Sequence, residues 1–151
     1  MHQKGFTLLE VLVAIVVLSI GLLGLAGLMA SSVRNNHSAY QRTQAAWLAY
    51  DMVDRMRANR TAAVDPLAAN NYNVAIGAAS ASSGLALADV NDWKTALVTT
   101  LPAGNGSIAV TAATGATIVV VQWNDARGTG GDPLNPLQGN SAQQVRVDTQ
   151  L

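Results

Sequence analysis

The sequence predicts an α+β protein, in which the far half of one long N-terminal helix packs on a small antiparallel sheet. Three observations carry this. Residues 6–30 are almost wholly apolar, residues 31–59 continue without proline in an amphipathic pattern, and the last third alternates β-branched residues between glycine-containing turns. A helix with one apolar stripe and a sheet with one apolar face each need a covering layer, and laying one on the other buries both.

The first element is the apolar run. From Phe6 to Ala30 only Thr7, Glu10, Ser19, Gly21, Gly24 and Gly27 lack a conventional apolar side chain, with Lys4 before the run and Arg34 after it. About 20 apolar residues cross roughly 30 Å of hydrocarbon as a helix, so the segment is long enough to span a bilayer. A helix apolar on every face is too long to be the buried core of a 151-residue chain. An ordinary secretory signal has an apolar region of about 7–15 residues and a small-residue cleavage site. Here the run is longer, and Ala30-Ser31-Ser32 is the best site that follows it.

The run leads straight into an amphipathic stretch. Tyr40, Trp47, Leu48, Met52, Val53 and Met56 recur at three- and four-residue steps, which predicts a helix face laid on a core. Asp51 precedes Arg55 by four and Asp54 precedes Arg57 by three, both favourable spacings on a helix surface. With no proline between Phe6 and Asp65, the simplest reading is one helix of about 50 residues, roughly 80 Å long.

The head follows. Residues 61–88 contain ten alanines, three serines and three asparagines, a composition that buries little and reads as a surface connection with a short strand at 72–76. Asp89 is placed to cap a helix running through Trp93, Leu97 and Val98 until Pro102 stops it. Residues 107–112 and 117–123 read as strands joined around Gly115, and 143–150 as a closing or edge strand. Between them, 124–142 is a loop with four glycines and two prolines.

Composition excludes several functions. Nine basic residues balance nine acidic ones, so the chain is neither a strongly basic nucleic-acid binder nor an acidic disordered tail. Without cysteine there is no disulfide framework, thiolate metal site or cysteine nucleophile. No cofactor is indicated. His37 falls on the helix, a poor place for a catalytic cleft, and the scattered aspartates show no acid–base spacing. Gly128-Thr129-Gly130-Gly131 lacks the lysine of a phosphate loop. Asn124, Asp125 and Asp132 offer oxygen ligands for calcium, but their spacing reads better as turn chemistry. Residues 31–60 carry five basic and two acidic groups, and residues 61–151 three basic and six acidic, a division read mainly as solvated surface.

Gly5 followed by Phe6-Thr7-Leu8-Leu9-Glu10 resembles the class III signal of type IV pilins and pseudopilins. The resemblance implies that a prepilin peptidase cuts between Gly5 and Phe6 and methylates Phe6, so the mature chain keeps its hydrophobic helix. Further along, Gly24-Leu25-Ala26-Gly27-Leu28 and the stretch from Ala45 to Asn59 (AAWLAYDMVDRMRAN) look like the PilV-type minor pilins. The resemblance implies the pilin fold and a non-enzymatic subunit acting in type IV pilus initiation and assembly. It divides the chain into a leader (1–5), a transmembrane and filament-core helix (6–30), its amphipathic continuation (31–60) and a soluble head (61–151). The implied partners are other minor pilins, the major pilin, the prepilin peptidase and the inner-membrane assembly platform. The implied location is the inner membrane of a Gram-negative bacterium with a periplasmic head, then the extracellular pilus. Some relatives carry a cysteine pair in the head, which this chain lacks.

Glu10 is the only glutamate in the chain, and it lies inside the apolar run. A charge in a membrane helix is costly and marks a functional site with a partner to be named. The resemblance implies that its carboxylate attracts the free amine of Phe6 of a neighbouring subunit during assembly; the alternative is a side chain that snorkels to the headgroups. Gly21, Gly24 and Gly27 soften the same helix, either to let it bend or to let helices approach closely. Two other identities remain open: a type II secretion pseudopilin, which shares signal and fold, and a membrane-anchored periplasmic binding or enzymatic domain.

Overall fold

The computed structural model describes residues 7–65, 71–128, 139 and 141–151. Helix α1 runs unbroken over Leu8–Ala58, about 77 Å at 1.5 Å per residue. A single turn, α2 (Arg60–Ala63), leads to α3 (Gly84–Thr100) and to three strands, β1 (Asn105–Thr111), β2 (Ala116–Trp123) and β3 (Gln143–Gln150). The strands form one antiparallel sheet in the order β1-β2-β3. This is the α+β layering of a long helix on a small sheet, consistent with a pilin fold.

The two halves of α1 meet different surroundings. Residues 8–30 are exposed all round, while Ala45, Ala49, Met52, Val53 and Met56 are buried. These last fall within one stripe of the helix, and the two alanines let the backbone come close to what it covers. The stripe lies on Val119, Val121 and Trp123 of β2 and on Trp93 and Leu97 of α3, all fully or almost fully buried. Along β2 burial alternates strictly, as the two-residue period of a half-buried strand requires. The register sets Val119 opposite Ile108 and Val147, and Val121 opposite Val145, which assembles the apolar face of the sheet. Trp93 adds direction to this packing, because its indole N–H donates to the Leu48 carbonyl at 2.8 Å.

Several expectations are corrected. Tyr40 and Trp47 are 61% and 64% exposed and lie on the outer side of α1. Three- and four-residue steps are shared by two helix faces, and the smaller alanines, not the aromatics, mark the one that meets the sheet. Helix α3 starts at Gly84, five residues before Asp89. Gly84 has φ +58, a value glycine adopts without penalty. Asp89 lies in the interior of α3, where it accepts from Tyr72 Oη at 2.7 Å and Arg55 Nη1 at 3.4 Å. The helix does run through Trp93, Leu97 and Val98 and ends before Pro102, as expected, with Val98 itself 67% exposed. The alanine-rich segment does more than connect: Ala63, Tyr72, Val74 and Ala86 all reach the core. Within it the expected strand reduces to one bridge, Val74 to Ile108, held by two backbone bonds of 3.0 and 2.9 Å.

Candidate assembly site

The described part of the apolar helix opens on a cap. Thr7 has extended backbone angles, and its Oγ1 accepts from the Glu10 N–H at 3.3 Å. A threonine followed three residues later by glutamate is the sequence form of a capping box, and the acid also meets the positive end of the helix dipole. Thr7 is therefore a contributor that the sequence reading passed over, although the Thr-x-x-Glu spacing announces it. Glu10 itself is exposed.

Apart from Glu10, the helix from Leu8 to Leu18 carries only apolar side chains. Leu8, Leu9, Leu12, Val13 and Ile15 are between 51% and 92% exposed, and nothing among the described residues covers the run. A surface of this kind is stable only in lipid or against other apolar surfaces. The helix passes unbroken through Gly21, Gly24 and Gly27, and a methyl group added at any of the three would meet nothing within 4 Å. Among the described residues no contact accounts for these glycines. Gly5 and Phe6 lie outside the described residues, so no geometry between Phe6 and Glu10 is described.

Beyond the apolar run the stalk carries the expected ion pairs, Arg55 Nε to Asp51 Oδ2 at 2.9 Å and Arg57 Nη1 to Asp54 Oδ1 at 3.1 Å. His37 is exposed and lies 3.1 Å from the Gln41 amide nitrogen. Asp125 is buried and accepts from Ser38 Oγ at 2.5 Å, which ties the segment after β2 to α1. Asp132 and most of the loop 124–142 lie outside the described residues. Among the described residues no three histidine, aspartate or glutamate side chains gather closely enough to hold a metal.

Residues 1–26 match the family model described as the prokaryotic N-terminal methylation motif. No curated protein and no solved structure matched the chain. The matched region contains the Gly5–Phe6 junction, Thr7 and Glu10, and it runs along most of the exposed apolar helix. A methylation motif at the start of a helix long and apolar enough to cross a membrane supports a type IV pilin-like protein, pilin or pseudopilin, with a structural role and an inner-membrane anchor.

Proposed function

We propose that this chain is a PilV-type minor pilin, a non-enzymatic subunit that acts in initiation and assembly of a type IV pilus, near its tip with other minor pilins. The observation that carries the reading is the methylation motif at residues 1–26 leading into an apolar helix that nothing among the described residues covers. A prepilin peptidase cuts between Gly5 and Phe6 and methylates Phe6. The helix is then stored in the inner membrane with the head in the periplasm. The assembly platform moves it into a filament shared with the major pilin. Its apolar surface is buried before and after the transfer, so the step does not expose it to water. Contacts in such a filament are heterologous and propagate instead of closing. The resemblance of the Ala45–Asn59 stretch to PilV-type pilins favours the pilus over a type II secretion system.

Glu10 supplies register. In an apolar filament core a carboxylate is tolerated when an amine meets it, and the methylated amine of Phe6 in a neighbouring subunit is the partner of opposite charge. Removing one member of a buried pair costs about 3–5 kcal/mol, which exceeds what a misregistered apolar contact recovers. Gly21, Gly24 and Gly27 lower the cost of bending the helix during transfer. Glu10→Gln is expected to reach the membrane at wild-type levels, while its amount in sheared pili falls at least about tenfold. Wild-type amounts in pili reject the role of Glu10. N-terminal sequencing tests the class itself: a mature chain beginning at methylated Phe6 supports it, and one beginning at Met1 rejects it.

A further inference from the structure

Where stalk meets head, two acceptor oxygens are buried without a donor. Gln41 is 5% exposed; its Nε2 lies 3.1 Å from His37 Nδ1, and its Oε1 has no partner among the described residues. Asp125 is 1% exposed; its Oδ2 accepts from Ser38 Oγ, and its Oδ1 is likewise unmatched among the described residues. Buried acceptors left in this state forfeit the hydrogen bonds that water gave them in the unfolded chain. Gln41 lines a cavity of about 260 Å³, bounded by His37 on α1, Pro102 after α3, and Asn124, Ala126 and Arg127 after β2. One water has a share of about 30 Å³ in the liquid, so a single bridging water does not fill this space.

The lining selects its occupant. Gln41 Oε1 calls for an N–H or O–H donor. Arg127 is exposed, and its guanidinium makes no hydrogen bond or ion pair among the described residues, so it calls for an anion. His37 lines the same cavity, with its Nδ1 3.1 Å from the Gln41 amide nitrogen. Pro102 and Ala126 give the cavity an apolar side. A divalent cation would set positive charge beside Arg127, and a bare inorganic anion would set an acceptor against Gln41 Oε1. A group that carries both a carboxylate and an amide N–H satisfies both sides.

We propose that this cleft binds a carboxylate-bearing peptide segment of a partner protein, with the carboxylate on Arg127 and a peptide N–H on Gln41 Oε1. Bidentate pairing of arginine with a carboxylate supplies direction as well as attraction. The proposal does not rest on the filament reading, and the Glu10 experiment leaves it untouched.

The test uses the full chain in detergent and the probe N-acetyl-aspartyl-amide, followed by amide shifts in nitrogen–proton spectra. Saturable shifts are expected at His37, Gln41, Ala126 and Arg127. Binding should weaken about tenfold or more with N-acetyl-asparaginyl-amide, with acetate, and in the Arg127→Gln and Gln41→Leu variants. Arg127 is exposed, so its variant tests the site without disturbing the core. Near-ultraviolet signals of Trp93 and Trp123 report whether the Gln41 variant keeps its fold. The proposal is overturned by no saturable shift in the wild type, by acetate binding equally well, or by shifts that persist undiminished in Arg127→Gln.

Discussion

Tyr72 shows how one side chain joins three segments of the head. Its hydroxyl donates to Asp89 Oδ2 on α3 at 2.7 Å and accepts from Asn59 Nδ2, just past the end of α1, at 3.1 Å. Burial, and then the bond to Asp89, pushes the Tyr72 hydroxyl up to about 12. The unfolded value is about 10, so the fold favours the protonated form. That contribution is complete below about pH 10 and is lost as pH rises through about 12. Tyr72→Phe is expected to lower stability at neutral pH by about 1–3 kcal/mol, because Asp89 and Asn59 lose a partner. The gap to wild type should then narrow as pH rises from about 10 through about 12. Urea titrations at closely spaced pH values check this, and a constant gap refutes it. Nothing in the alanine-rich sequence around Tyr72 announced the cluster, in which Tyr72 lies 13 positions from Asn59 and 17 from Asp89. Glu10 is the opposite case: its neighbours in the chain are themselves the signal.

At the scale of the element, β1 depends on a missing side chain. A Cβ on Gly106 would lie 2.4 Å from Trp93 Cη2, 2.9 Å from Leu97 Cδ1 and 2.9 Å from the Val120 carbonyl. The strand can therefore pack beneath α3 only if position 106 is glycine. Gly106→Ala is expected to destabilise the head by about 1–3 kcal/mol or more, since the obstacles include an indole held by its own bond to Leu48 and a strand backbone. A denaturation midpoint within error of wild type would contradict this. Gly115, in the turn between β1 and β2, has φ +69 and was legible from sequence, because a glycine between two β-branched runs has a local meaning. Gly106 was not legible, because its requirement comes from side chains on another element. The bounds of β3 were also readable in advance, as its alternation is local; the start of α3 was not, since it depends on a backbone angle at Gly84.

At the scale of the molecule, the long helix serves two environments, and mutations along its second half should separate by face. Met52→Ala is expected to cost about 2–5 kcal/mol, because the side chain is fully buried between sheet and α3. Trp47→Ala should change stability by no more than about 0.5 kcal/mol, since the indole is exposed. Denaturant titrations followed through Trp93 and Trp123 compare the two; a large loss for Trp47→Ala would return that residue to the core. The sequence by itself determined the long helix, its apolar first half, the Gly5–Phe6 and Glu10 motif and the three strands. Each of these is written in residues close together in the chain, as a period, a run or a fixed spacing. Only the tertiary structure decided which face of the stalk meets the head, why Gly106 must lack a side chain, how Tyr72 bridges α1 and α3, and that Gln41 and Asp125 are buried with unmatched oxygens. Those outcomes depend on residues far apart in sequence whose shapes and polar groups meet only after the sheet has been laid on the helix.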